Sequence, residues 1–305
     1  MPRLLHPCTL ALLATFAGVP AMAQDFPTKS LFIVVGPGPD TMARLFGQKM
    51  SEDWKQQVLV DPQPAAGGVA AMHTVAKAAP DGHTMLLTTG SYTINEALRP
   101  NLPLSLLRDF VPAAEIGTLS FILVTNPNLP FKSLDDVIAA ARERPGKLNY
   151  ASPGNGTPQH VGMELFKQRL GIDIVHVPYK GAAGAMQDLV GGQVEIAYLP
   201  VHTALPFAAA GKLRILAVAG NKRSILAPDA PSFKELGFDN MDIELWYGIF
   251  GPARLPAEIV AKWSGELAAV LALADVKEAL LKQGLVPAFA PPDALANLMR
   301  DDVAR

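Results

Sequence analysis

Short apolar runs alternate with helical patterns along most of the chain, and this alternation predicts secondary structure before any side-chain chemistry is considered. Residues 31–35 (Leu-Phe-Ile-Val-Val) read as a buried strand, and 41–54 follow with Met42, Leu45, Phe46 and Met50 at helical spacing. Further strands are expected at 58–60, 85–88 and 122–125, with a small-residue helix at 69–79. After the turn Asn126-Pro127 the logic repeats. Ser133 caps a helix whose first turn carries Asp135 and Asp136, a placement that the positive end of a helix favours. Strands at 148–151, 174–177, 196–199 and 215–218 alternate with helices at 160–170, 183–190 and 204–210. Repeated strand–helix units predict an α/β fold with mainly parallel sheets. The end differs: after a strand at 245–250, residues 257–271, 276–282 and 293–303 read as helices with little strand between them.

The N-terminal apolar run has a different meaning. Arg3 precedes an apolar stretch at 10–19, and Ala21-Met22-Ala23 follows with small residues at the two decisive positions. This is the pattern of a cleavable export signal covering 1–23, with Gln24 as the first mature residue. The stretch is shorter than the ~20 apolar residues that a membrane span requires. The single cysteine, Cys8, falls inside the expected signal 1–23, so the exported chain would have no disulfide, no thiol nucleophile and no cysteine metal ligand. What remains suits two domains of ordinary size better than one.

Charge narrows the partners. The chain carries 26 Lys and Arg against 28 Asp and Glu, and no basic cluster stands out. That argues against nucleic acid or an anionic membrane as partner. Glycine and proline are plentiful, at 25 and 27, as many short elements joined by tight turns require.

Candidate chemistry concentrates where predicted strands give way to helices. In open α/β sheets ligands bind beyond the carboxyl ends of strands, and helix starts there offer free N–H groups that favour anions. Five such loops are rich in small residues: Gly36-Pro37-Gly38-Pro39-Asp40-Thr41, Pro64-Ala65-Ala66-Gly67-Gly68, Thr89-Gly90-Ser91-Tyr92, Ser152-Pro153-Gly154-Asn155-Gly156-Thr157 and Tyr179-Lys180-Gly181-Ala182. One such loop only makes a turn; five at equivalent positions suggest an anion pocket.

Enzymatic motifs fail in turn. Gly36-x-Gly38-x-x-Thr41 lacks the third glycine of a dinucleotide fingerprint, and Pro37 and Pro39 remove two N–H donors. Phosphate-loop, serine-hydrolase and zinc-protease signatures are missing from the sequence. A triad of Ser152, His160 and a distant Asp would need a tertiary accident. Histidines 73, 83, 160, 176 and 202 show no metal-ligand spacing. His160 opens a helix and is a plausible ligand contact; His83, in the turn Asp81-Gly82-His83, is expected to be exposed, and His176 to be structural. Trp246-Tyr247 either walls a pocket or belongs to the core. No catalytic residue, metal or cofactor is expected.

Several stretches carry a family resemblance: Asp40-Thr41-Met42-Ala43-Arg44, Ala66-Gly67-Gly68, Ala79-Pro80-Asp81-Gly82-His83-Thr84, Pro145-Gly146-Lys147-Leu148-Asn149-Tyr150-Ala151-Ser152, Gly154-Asn155-Gly156-Thr157, His176-Val177-Pro178-Tyr179-Lys180-Gly181, Gly191-Gly192-Gln193-Val194 and Ala210-Gly211-Lys212-Leu213-Arg214. The chain resembles the Bug-type periplasmic substrate-binding proteins of tripartite tricarboxylate transporters, over nearly all of its length after residue 23. The resemblance implies a two-domain periplasmic-binding-protein (Venus-flytrap) fold, with crossings near Asn126 and Leu245. Domain 1 would combine 24–125 with 245–305, and 126–244 would form domain 2. It also implies a monomer in the periplasm that binds a small organic carboxylate and serves the membrane subunits of a transporter. The rival readings are a ligand sensor for a membrane signalling partner, a degenerate receptor with weakened binding, and an enzyme.

The resemblance places ligand-binding residues at Gly38, Asp40, Thr41, Ser91, Ser152, Gly154, Asn155, Gly156, Thr157, His160, Tyr179, Lys180, Gly181 and Ala182. The N–H groups of Gly154, Gly156, Gly181 and Ala182 would face the carboxylate, Lys180 would supply counter-charge or stay a solvated surface lysine, and Asp40 would order Arg44 or the loop rather than touch the anion. One departure matters. The family's first loop usually reads Gly-Phe-Pro-Pro-Gly-Gly-Ala-Thr-Asp, whereas Gly36 here reaches Asp40 through Pro37-Gly38-Pro39 alone. A carboxylate bound there would meet fewer amides. The chain also stops at Arg305, where family members usually continue the last helix.

Expressed in a Gram-negative host, the protein should be cleaved after Ala23 and released by osmotic shock. N-terminal sequencing should read Gln24 first, and an intact Met1 on the released protein would contradict the export reading.

Overall fold

The computed structural model describes residues 26–36, 40–63, 68–98, 102–239, 241 and 244–304. The expected signal segment 1–23, the Pro37-Gly38-Pro39 turn and residues 64–67 lie outside the described residues.

The first lobe opens with β1 (Leu31–Val35), α1 (Asp40–Trp54), β2 (Val58–Pro62), α2 (Val69–Ala76), β3 (Thr84–Thr89), α3 (Ser91–Leu98), α4 (Leu106–Asp109) and β4 (Phe110–Leu119). The second holds β5 (Phe121–Thr125), α5 (Leu134–Glu143), β6 (Asn149–Ser152), α6 (Pro158–Leu170), β7 (Val175–Pro178), α7 (Ala182–Val190), β8 (Ile196–Pro200), α8 (Val201–Ala209) and β9 (Arg214–Val218). The chain then returns through β10 (Leu245–Pro252), α9 (Ala257–Ala272), α10 (Ala274–Lys282), β11 (Val286–Ala290) and α11 (Pro292–Ala304). One sheet runs β11-β4-β10-β3-β1-β2 and the other β7-β6-β8-β5-β9.

Local chemistry sets the boundaries. Ser133 and Asp136 form a reciprocal capping box at the start of α5, satisfying two backbone donors that would otherwise lack partners. Thr157 caps α6, Pro158 follows in its first turn, and Gly171 ends it in the left-handed conformation at φ 60°, where a residue without a Cβ is least strained.

Each sheet is covered on both faces. Ile33, Val35, Phe46, Leu87 and Ile249 join a core that includes Trp263 of α9, while Val34, Leu86, Trp246, Phe250 and Leu295 form the opposite face beneath α2, α3 and α11. In the second sheet, Ile122, Val124, Ala151 and Leu199 pack with Ala185 and Leu189 of α7. Full burial of each large apolar side chain contributes roughly 1.5–3 kcal/mol. Trp263 is fully buried, donates its indole N–H to the Gly82 carbonyl at 3.0 Å and meets Trp54 edge-on at 5.0 Å.

The expectation of mainly parallel sheets needs correction: both sheets are mixed. β1 pairs in parallel with β2 and β3, and β6 with β7 and β8. β10 runs against β3 and β4, β11 against β4, and β5 against β8 and β9. The reason is geometric. The parallel strands of each sheet end at the edge facing the other sheet. A strand arriving from the other sheet starts at that edge, so it must run the opposite way. Accordingly Phe121, at the start of β5, pairs with Pro200 at the end of β8, and Tyr247, near the start of β10, pairs with Thr89 at the end of β3.

The first crossing therefore lies at Ser120 rather than near Asn126, because β5 already belongs to the second sheet. The little strand in the C-terminal segment is β11, which lies at the edge of the first sheet.

β4 is the longest strand that hydrophobic patterning misses. Pro112, Glu115 and Gly117 interrupt its apolar run, and its pairing with β10 carries two register shifts. Gly117 is there for space: a Cβ at this position would lie 2.6 Å from the Val286 carbonyl oxygen and 2.9 Å from Leu285. Replacing Gly117 with alanine should push β11 away from β4 and destabilise the fold by roughly 1–3 kcal/mol. A urea midpoint equal to that of the parent protein would contradict this packing account.

Candidate functional site

The facing edges of the two sheets gather most of the loops singled out from sequence. On the second lobe, the β6–α6 and β7–α7 loops are held together by backbone. Tyr179 N–H donates to the Ser152 carbonyl at 3.0 Å and Gly181 N–H to the Pro153 carbonyl at 2.9 Å. Beneath them lies a buttress of stacked rings. His176 stacks on His160 at 4.2 Å and on Tyr150 at 4.7 Å, and its Nε2 lies 2.7 Å from the Ser152 hydroxyl. The Tyr150 hydroxyl donates to Glu164 at 2.6 Å, and Lys167 pairs with the same carboxylate at 2.8 Å.

Ser152 thus meets His176, not His160, and the pair is not a nucleophilic one. Ser152 is buried, and Glu164 is engaged by Tyr150 and Lys167 rather than by His176. Burial, followed by the neighbouring His160, pushes the His176 imidazole down to about 4, so at neutral pH it is an uncharged structural ring, as the sequence suggested.

Three of the four amides assigned to the ligand are engaged inside the loops. Gly154 N–H donates to the Ser152 hydroxyl at 3.1 Å, Gly156 N–H to His160 Nδ1 at 3.2 Å, and Gly181 N–H to Pro153. The reason lies in the turn itself, which needs Gly156 at φ 75° and so directs these donors inward. Thr157 is likewise local: it donates to the Gly154 carbonyl at 2.8 Å and accepts from His160 N–H. Tyr179 gives its hydroxyl to Asp188 at 2.6 Å, and burial together with that bond pushes it up to about 12. Asn155, Lys180 and Ala182 are exposed, and Lys180 makes no ion pair among the described residues.

Capping varies among the helix starts: at the facing edge Thr157 caps α6, and at the far edge α9 follows Pro256 with no side-chain cap. α7 begins at Gly181 and α2 at Gly68, and neither N-cap gives a side-chain hydrogen bond. Both helices follow strands that end at the facing edge. α5, which begins at the far edge, is fully capped. The two bare starts present first-turn N–H groups and a positive dipole end to whatever lies between the lobes.

On the first lobe, Asp40 and Arg44 form a two-pronged ion pair at 3.1 and 3.2 Å, as expected of Asp40. Thr41 is exposed at the start of α1, and Ser91 N–H donates to the Thr89 hydroxyl at 3.3 Å. The Gly36 backbone approaches Gly68 so closely that a Cβ on Gly36 would lie 3.1 Å from the Gly68 Cα. Gly38 lies outside the described residues. Among those described, no hydrogen bond joins this set to the second-lobe loops. His83 is buried rather than exposed: Phe26 packs edge-on against it at 5.0 Å, and its Nε2 accepts from Thr28 N–H at 3.2 Å.

Sequence reasoning missed a second group. A cavity of about 440 Å³ beside the two crossings is lined by Glu115 and Thr118 of β4, Asn221 and Lys222 after β9, Glu244, Trp246 of β10, and Leu298 and Asp302 of α11. Trp246 both walls this cavity and belongs to the core. The only sequence signal was an acidic residue, Glu115, inside an apolar stretch.

Comparison with known proteins gives a consistent answer. Residues 42–305 match the family described as "Tripartite tricarboxylate transporter family receptor". The match begins at Met42, within the first turn of α1. Protein BugT of Bordetella pertussis is 32% identical, covering 100% of this chain and 95% of that protein. The solved structure of R. palustris Rpa4515 with adipate is 30% identical with a TM-score of 0.79, covering 92% of this chain and 96% of the other. MatC (Rpa3494) from Rhodopseudomonas palustris with bound malate is 30% identical with a TM-score of 0.75, covering 92% and 98%. The two-lobed fold matches these solute-binding receptors, which are not enzymes. This chain belongs to the tripartite tricarboxylate transporter family of periplasmic receptors.

Proposed function

We propose that the chain, after loss of residues 1–23, captures a small organic carboxylate between its lobes in the periplasm and delivers it to the membrane subunits of a tripartite transporter. The observation that carries this reading is the pair of uncapped helix starts, α2 at Gly68 and α7 at Gly181, at the facing edges of the two sheets. Bare N–H groups there suit an anion without requiring a cationic side chain. The adipate and malate bound by the two solved relatives are dicarboxylates of the class proposed. Ala182 supplies the first amide of α7, while Ser152, Gly154, Gly156, Thr157 and His160 keep the neighbouring loop in shape. Ser91, Asn155, Tyr179 and Lys180 would define the rest of the ligand's surroundings. The short Gly36–Asp40 connection argues for a first-lobe contribution weaker than in relatives with a longer loop.

Two measurements test this reading. Adipate or malate at ~100 times its Kd should stabilise the protein by ~2.7 kcal/mol, and the corresponding diamide should do far less. Equal stabilisation by acid and amide would contradict recognition by helix ends. Ala182→Pro removes one N–H donor while leaving α7 able to form, because proline is tolerated in the first helical turn. It should weaken carboxylate binding by ~1.5–3 kcal/mol with the melting temperature of the free protein nearly unchanged; unaltered affinity by calorimetry would move the site away from α7.

A further inference from the structure

The cavity beside the crossings has a chemistry opposite to that of the helix starts. Glu115 sits within β4 between Gly248 of β10 and Ala290 of β11, and only 8% of its surface is exposed. It lines the cavity, yet it makes no hydrogen bond or ion pair among the described residues. A buried carboxylate without a partner is costly to keep ionised. Two more carboxylates, Glu244 and Asp302, line the same space, against a single lysine, Lys222, which forms no ion pair with Glu115. Desolvation first, then the charges of Glu244 and Asp302, push Glu115 up to about 7.

Size and lining narrow the occupant. A volume of about 440 Å³ falls within the range of small-ligand pockets, roughly 300–1,000 Å³. It far exceeds a bare metal ion, and no group of three His, Cys, Asp or Glu side chains is arranged for a metal among the described residues. Trp246 and Leu298 supply an aromatic and an aliphatic wall. The indole N–H of Trp246 donates to Asp302 at 2.6 Å and fixes that carboxylate in position. An anion would be repelled here, whereas an ammonium group would satisfy Glu115 and meet the indole ring favourably.

We propose that this cavity is a binding site for a small organic cation of the alkylammonium or diamine class, with Glu115 as its deep counter-ion, Glu244 and Asp302 nearer solvent, and Trp246 and Leu298 against its carbon chain. Because β4, β10, α11 and the segment after β9 all line it, an occupant touches both lobes at the crossings. The site does not depend on the carboxylate reading.

The test is calorimetry on the full exported chain with 1,4-diaminobutane at about pH 8, with 1,4-butanediol as the uncharged control. The diamine should bind saturably and the diol should not. Binding should weaken by about tenfold or more in Glu115→Gln, as expected when a buried charge loses its partner. It should weaken similarly at about pH 5.5, where a carboxyl titrating near 7 has taken up its proton. If Glu115→Gln fails to fold, Glu244→Gln, at an exposed position, decides, with a smaller loss expected. Adipate and malate responses should survive in both variants, and diamine binding should survive in Ala182→Pro, which separates this site from the carboxylate site. Lack of diamine binding by the parent protein, or equal binding in the folded glutamine variants, would overturn the proposal.

Discussion

The side-by-side pairing of β4 and β10 is the constraint on which the rest of this molecule depends. β4 carries the chain out of the first sheet toward Ser120, and β10 brings it back from Glu244, with Leu119 opposite Leu245 where both meet the second lobe. Two adjacent antiparallel strands tie the lobes at one place and leave the remaining strand ends facing each other. The mixed strand directions in both sheets follow from this arrangement, and so does the position of the β3–α3, β6–α6 and β7–α7 loops at the facing edges. The tight fit of Gly117 against Val286 and the irregular β4–β10 register belong to the same device.

On that frame the facing edges carry two kinds of electrostatics. Between the lobes, the proposed anion contacts come from backbone rather than from side chains. α2 and α7 start at bare glycines, while the stacked Tyr150, His176 and His160 rings and the Ser152 hydroxyl hold the adjoining turn rigid. An uncharged imidazole suits that role, since it lends rigidity without adding a titrating charge at neutral pH. Beside the crossings the sign reverses, with Glu115, Glu244 and Asp302 around one cavity. In the proposed reading, anion and cation preferences sit at separate places along one interface.

Much of this was legible in the sequence. Strands such as Leu31–Val35 and Ile196–Pro200 are continuous apolar runs, and helices such as Leu134–Glu143 announce themselves by a cap and an amphipathic face. The glycine-rich turns after β6 and before α7 stood out as well. What escaped was set by tertiary context. β4 contains a proline, a glutamate and a glycine that local patterning treats as breakers, yet its flanking strands accommodate all three. Strand direction depends on which sheet a strand enters from, and no local signal carries that. The amides of Gly154, Gly156 and Gly181 looked available until their partners within the same loops were seen. His83 looked like a turn residue because Phe26, which covers it, is distant in sequence.

In the proposed mode of binding, the lobes hold a carboxylate by the first-turn amides of α2 and α7. Hydrogen–deuterium exchange of the exported chain, with and without the dicarboxylate that most raises its melting temperature, addresses this directly. Exchange should slow on binding at Ala182–Gly184 and Val69–Ala71, with the β4–β10 ladder little changed. Protection confined to the cavity beside the crossings, with the starts of α2 and α7 unaffected, would contradict it.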